Sequence, residues 1–249
     1  MFKDYLFVRN RIFIDMEINV SIIIPCKNEQ GYIGKLLDSL DKQHLSQSFE
    51  IIVADAKSID RTLDIINSYY VKLPNLKVIE GGLPSLGRNL GASVAKGHTL
   101  LFIDADAYFK DDMIIRHSVR KFNKNKLELL GCYLNIENNL FVKLIYFFCN
   151  IIVKLSKYDK PFVVGTYFMI KKDKFFELGG FDESLMHCED YFLSKEVSSK
   201  KFSLFDGYVY TDDRRFKKLG YFNMIMYFIK NTFKKNNKEY FKQDIGYWL

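Results

Sequence analysis

Leu100-Leu101-Phe102-Ile103 is an unbroken apolar run that ends in Asp104-Ala105-Asp106. A strand with one wet face would alternate. Four apolar residues in a row instead require burial on both faces, as in a parallel sheet covered by helices. In open α/β sheets the ligand crevice lies beyond the carboxyl ends of the strands, so both acids project towards it. Carboxylates are hard oxygen donors suited to Mg²⁺ or Mn²⁺, and such an ion bridges a protein acid and a substrate phosphate. The competing use of the acids is to cap the next helix, together with Asp111 and Asp112.

The preceding hundred residues repeat the same grammar. Strands are expected at 19–25, 49–54 and 76–79. Helices are expected at 30–41 (Ile33, Leu36, Leu37 and Leu40 inward), from Asp60 with Ser58 or Asp60 as N-cap, and at 85–95. Strands alternating with helices at these intervals predict a doubly wound, mostly parallel α/β sheet. Beyond Lys110 the pattern loosens. A helix over Leu140 to Leu155, a strand at 163–170, a helix at 173–178 stopped by Gly179-Gly180, and a helix from Glu189 to about Ser199 are expected there. The division that follows is an N-terminal extension (1–17), a domain (18–215, with halves 18–109 and 110–215) and a basic aromatic tail (216–249).

Other classes are disfavoured by composition. Residues 1–17 are too short and too charged for a signal peptide or a spanning helix, and no run of eighteen uncharged apolar residues exists. Four cysteines without Cys-x-x-Cys spacing read as free thiols in a reducing compartment rather than as a zinc site. A cytoplasmic protein is expected, held at most on the inner face of the cell membrane. The net charge of +7 points to an anionic partner.

Polar residues gather at the other strand ends. Pro25-Cys26-Lys27-Asn28-Glu29 follows the first strand, and Asp55 with Lys57 follows the second. Gly87-Arg88-Asn89-x-Gly91 adds a turn whose Arg can fork onto a phosphate. Each alone is ordinary strand-to-helix turn chemistry; acids and bases at four successive strand ends favour a nucleotide site.

In order, Ser21 to Glu29, Val53 to Thr62, Gly87 to Ala92 and Phe102 to Asp106 resemble a family 2 glycosyltransferase of the GT-A fold. Gly165-Thr166, Gly179-Gly-Phe-Asp-Glu183 and Glu189-Asp190 resemble the acceptor half of that family, so the likeness runs over roughly 18–215. It implies an inverting, metal-dependent transfer of one sugar from a UDP- or GDP-sugar to an acceptor hydroxyl. By the same likeness Asp55 and the 25–29 loop bind the base, Asp104 holds the ribose or a metal-bound water, and Asp106 ligates Mn²⁺ or Mg²⁺ on the diphosphate. Asp190, beside Glu189, is the implied general base.

The chain departs from the family pattern at two places. Ala54, Ala56 and Lys57 replace a loop usually richer in glycine and acid, and Lys57 is either a phosphate contact or a solvated charge. The Gln-x-x-Arg-Trp signature of processive synthases is absent; Thr211-Asp-Asp-Arg214-Arg215-Phe216 stands there instead. Arg214 or Arg215 is expected to close over the diphosphate. His98 reads as structural and His187 as a candidate extra metal ligand.

Between Arg214 and Lys242 nine Lys or Arg face one acid, Glu239, with aromatic residues between them. Such a helix either lies on an anionic membrane or packs its apolar face on the domain. With the apolar 140–155 segment it raises a lipid-linked acceptor and peripheral membrane contact through the tail. Two rival functions are a nucleotidyltransferase-like enzyme, disfavoured because 25–30 lacks glycine, and a nucleic-acid binder, disfavoured because no binding signature is present.

Overall fold

The computed structural model describes residues 18–43 and 48–244; the 1–17 extension lies outside the described residues. The first half runs β1 (Ile18–Cys26), α1 (Ile33–Asp41), β2 (Ser48–Asp55), α2 (Thr62–Ser68), β3 (Leu76–Glu80), α3 (Pro84–Val94) and β4 (Thr99–Ile103). The second half continues with α4 (Ile114–Lys124), β5 (Leu129–Asn135), α5 (Leu140–Leu155), β6 (Tyr167–Lys171), α6 (Lys172–Glu177), α7 (Glu189–Ser194), β7 (Phe202–Tyr210), α8 (Arg214–Leu219) and α9 (Tyr221–Lys234). The strands form one sheet in the order β3-β2-β1-β4-β6-β5-β7. All neighbours pair in parallel except β6, which is antiparallel to β4 and β5.

The period of two explains the apolar runs. Ile22, Ile24, Leu101 and Ile103 fill the core on one face of the sheet. Ile23, Ile52, Leu100 and Phe102 fill the core on the other. With helices on both sides, every residue of β4 is buried. The turn after β3 is equally tight: Gly81 donates its N–H to the Asp55 carbonyl, and a Cβ there would sit 2.5 Å from the Ala54 carbonyl oxygen. Gly81→Ala is therefore expected to destabilise the fold by about 1–3 kcal/mol, since backbone must move. An unchanged urea midpoint would show that the β2–β3 edge yields without strain.

The second half is more regular than its sequence suggests. β5 and β7 complete the sheet, and α4 covers it with Ile114, Ile115, Val119 and Phe122. The strand expected from Val163 begins only at Tyr167, because 163–166 is a loop whose backbone bonds the Asp190 carboxylate and the Asp104 N–H. α7 stops at Ser194 rather than near Ser199. The tail folds back onto the domain: Phe216, Met224 and Phe241 are buried, and Met186 N–H bonds the Phe241 carbonyl at 2.8 Å. All four cysteines are free. No helix among the described residues is long and apolar enough to cross a membrane.

Candidate active site

A cleft of about 810 Å³ opens at the carboxyl edge of the sheet. Its walls come from four strand ends: Pro25 to Glu29 after β1, Ala56 and Lys57 after β2, Glu80 to Pro84 after β3, and Asp104 to Asp106 after β4. α8 closes the fifth side with Arg214, Arg215 and Lys218.

The first two loops are stitched together. Asn28, in the left-handed region at φ 54°, accepts from Ile59 N–H through Oδ1 and donates its own N–H to Ser58 Oγ. Glu29 N–H bonds Thr62 Oγ1 at 2.7 Å. Asp55 is buried, and its carboxylate accepts from Ser58 N–H and Oγ at 2.9 and 2.5 Å. The N-cap of α2 is Arg61, without a side-chain cap bond, rather than the expected Ser58 or Asp60. Asp60 stands one residue earlier and accepts from Thr62 N–H through Oδ1, while Ser58 serves Asp55. Lys57 reaches across the rim to Glu80 at 3.0 Å, an exposed pair of little energetic weight.

Arg88 corrects the sequence reading. It was expected to meet a phosphate, yet it is 1% exposed. One guanidinium nitrogen donates to Asp104 at 2.6 Å and another to Glu189 at 2.5 Å, while the ring of Phe181 lies 5.4 Å away. A buried cation must be neutralised where it sits, and these two acids do so. Asn89, also expected at the nucleotide, instead staples the acceptor half. Its amide donates to the Phe181 carbonyl and accepts from the Phe181 N–H, both at 2.9 Å. Gly180, at φ 72°, leaves room for this; a Cβ would stand 2.9 Å from Asn89 Oδ1. Adjacent residues of α3 thus organise the second half around the first.

Asp190 lies beside this knot. Its Oδ2 accepts from Gly165 N–H at 2.7 Å, and its Oδ1 from Tyr191 N–H at 2.8 Å. A Cβ on Gly165 would lie 3.0 Å from Arg88 Nη2 and 3.4 Å from Asp190 Oδ2, so the glycine is what lets the two groups approach. Burial, then the charge of Glu189, push the Asp190 carboxyl up to about 7. The 163–166 loop also supplies the Thr166 carbonyl to Asp104 N–H.

Arg214 is engaged as well. It forks onto Glu29 with two bonds of 2.7 Å, meets Asp106 at 3.1 Å, and stacks 4.4 Å from the Tyr32 ring centre. Acids of the cleft thus hold its guanidinium. Burial, then the charge of Asp104, raise the Asp106 carboxyl above its usual range, with Arg215 and Arg214 opposing.

His187 is also corrected. It is fully buried, with its Nδ1 3.2 Å from the Tyr227 hydroxyl and the rings of Tyr240 and Phe241 packed around it. Burial depresses its pKa, which suits a neutral ring in an aromatic cage. No group of three or more His, Cys, Asp or Glu suited to a metal ion occurs among the described residues. Asp104 and Asp106 offer two neighbouring carboxylates at the cleft, with Glu29 beside Asp106 held by Arg214. Two acids suit an ion such as Mg²⁺, which takes its remaining ligands from substrate phosphates and water.

Over 118 residues the chain is 37% identical to a poly(ribitol-phosphate) beta-glucosyltransferase of Bacillus spizizenii, a match covering 45% of this chain and 19% of that protein. The chain therefore spans about a fifth of that relative's length. Its fold is similar to S. aureus TarS 1-349 in complex with UDP-GlcNAc (TM-score 0.62, 24% identity, covering 78% of this chain and 58% of that one). It is also similar to a mannosyltransferase of Pyrobaculum calidifontis in complex with GDP-Man and Mn²⁺ (TM-score 0.65, 19% identity, 77% and 56% covered). Residues 21–179, from the middle of β1 to the turn after α6, match the family described as Glycosyl transferase family 2. That span is more than half of the sequence and takes in all four strand ends around the cleft, so the chain belongs to glycosyl transferase family 2.

Proposed function

We propose that the protein transfers one sugar from a nucleoside-diphosphate sugar, UDP- or GDP-linked, to an acceptor hydroxyl with inversion. The observation that carries this is Arg88. Through it, the Asp104 end of the cleft and the Glu189-Asp190 end of α7 share one buried cation. The acids suited to a diphosphate and the acid suited to an acceptor thus stand on either side of a single residue.

In this proposal the 25–29 loop and Asp55 take the base, Lys57, Ala105 and Arg215 line the diphosphate path, and Asp104 and Asp106 hold Mn²⁺ or Mg²⁺. The ion supplies positive charge to the departing diphosphate. Asp106 must release Arg214 for this, which turns the guanidinium towards the phosphates. Asp190 then draws the proton from the acceptor hydroxyl as the new bond forms. The 163–166 backbone keeps Asp190 oriented, and Arg88 keeps Glu189 from competing for the acceptor. We assign the enzyme to the cytoplasm at the inner face of the cell membrane, with a lipid-linked acceptor and the basic tail touching the membrane. Support comes from nine Lys or Arg against one acid between Arg214 and Lys242. Family membership leaves no ground for the nucleotidyltransferase or nucleic-acid alternatives.

A thermal-shift series with UDP- and GDP-sugars, each with and without Mn²⁺, tests the reading. One donor at about a hundred times its Kd is expected to add about 2.7 kcal/mol, and only when the metal is present. Asp106→Asn is expected to abolish that shift while leaving the unliganded Tm nearly unchanged. Equal shifts with and without metal would remove the ion from the proposal. The absence of any shift, together with no release of nucleoside diphosphate, would remove the transferase.

A further inference from the structure

α5 presents an apolar face to solvent that the transfer reaction does not use. At 3.6 residues per turn, Val142, Tyr146 and Val153 form the stripe that anchors the helix to the domain. On the opposite side Leu144, Phe147, Phe148, Ile151, Ile152 and Leu155 are each 39–58% exposed. None of them lines the cleft. Lys143, Lys154 and Lys157 run along one border of this face, and the helix contains no acid. Six large apolar side chains on one side of one helix exceed the scattered exposure ordinary for a soluble surface.

We propose that this face of α5 is a docking surface for an anionic lipid bilayer, with the helix lying in the plane of the interface. Phenylalanine and branched aliphatic side chains enter the headgroup–acyl boundary while the bordering lysines meet lipid phosphates. Charge complementarity selects this occupant. A second copy of the chain docked through α5 would bring lysines to lysines, with no acid from either helix. A nucleic acid would satisfy the lysines and leave the apolar residues in water. α9 repeats the pattern: Phe222, Ile229 and Phe233 are exposed at i, i+7 and i+11, beside Lys230 and Lys234. The two helices meet at their starts, where the rings of Phe141 and Tyr221 are 5.8 Å apart. The docking proposal goes beyond the transferase reading and does not depend on it.

Vesicle flotation of the full chain tests it, using phosphatidylcholine alone and phosphatidylcholine mixed equally with phosphatidylglycerol, at low and at high salt. Wild type is expected to partition at least about tenfold more strongly to the anionic vesicles at low salt. Phe147→Asp/Ile151→Asp is expected to lose that binding about tenfold or more, with circular dichroism and Tm retained. Lys143→Glu/Lys154→Glu/Lys157→Glu is expected to lose the preference for anionic lipid. Equal partitioning of wild type and the Phe147/Ile151 variant overturns the proposal. So does a wild-type dimer that this variant converts to monomer without any vesicle binding, which would assign the face to a second copy. Donor-induced thermal shifts of the same variants report separately on the transferase reading.

Discussion

Arg88→Ala is expected to lower the stability of the folded chain by roughly 3–5 kcal/mol, the cost of leaving buried acids without their cation. Glu189 is 4% exposed and has no water to replace the guanidinium, whereas Asp104, at the cleft edge, keeps partial access to solvent. At this chain length the loss corresponds to a fall in Tm on the order of 10 °C. Arg88→Lys is expected to recover only part of it, because one ammonium cannot reach both carboxylates in the fork geometry. Differential scanning calorimetry of the variants, checked by urea unfolding, measures the effect. An Arg88→Ala protein as stable as wild type would mean that Asp104 and Glu189 repack or protonate at no cost.

A triple variant separates stability from chemistry. Arg88→Met/Asp104→Asn/Glu189→Gln removes the charges together, and uncharged replacements of similar volume are often neutral or stabilising in such sites. Its Tm is expected near that of wild type. Donor binding is expected to be lost with Asp104, and with it the charge that Glu189 imposes on Asp190. A triple variant as stable as wild type would therefore show that the buried ions are not what holds the fold.

The sequence made the first half legible because both faces of its strands are covered. Apolar runs, helical spacing and polar strand ends agree there, and each expected element from β1 to β4 is found within three residues of its bounds. The second half hid β5 and β7 because glycine and polar residues interrupt them: Gly131 in one, Asp206-Gly207 in the other. α4 was readable from Ile114, Ile115, Val119 and Phe122 at helical spacing, yet its many charges masked the stripe. Among site residues, strand-end position correctly brought Glu29, Asp104 and Asp106 to the cleft. It could not reveal that Arg88 also pairs with Glu189 and Arg214 with Glu29, because ion pairing across 101 and 185 residues leaves no local signature. His187 was misjudged for a related reason: a histidine beside acids in sequence lies among aromatic rings contributed by the tail.

Sugar transfer is expected to fail on the acid side of neutrality, with Asp190 as the proposed base. Its carboxyl is held up to about 7 by burial and by Glu189, and a general base must be ionised to accept a proton. The sign follows: the active form accumulates above pH 7, and kcat/KM falls as pH drops through that value, approaching tenfold per unit. Asp190→Asn keeps an acceptor for Gly165 N–H through its amide oxygen but cannot take a proton. It is expected to lower kcat by roughly 10²–10⁴-fold while leaving the KM for donor nearly constant. Glu189→Gln tests the cause of the shift. Without that neighbouring charge Asp190 ionises more readily, so the acid limb is expected to move to lower pH even as the protein loses stability. Measured between pH 5 and 8.5 with a nucleoside-diphosphate release assay, an acid limb that stays fixed in Glu189→Gln would assign the titration to another group. A flat profile in wild type would take the proton transfer away from Asp190 altogether.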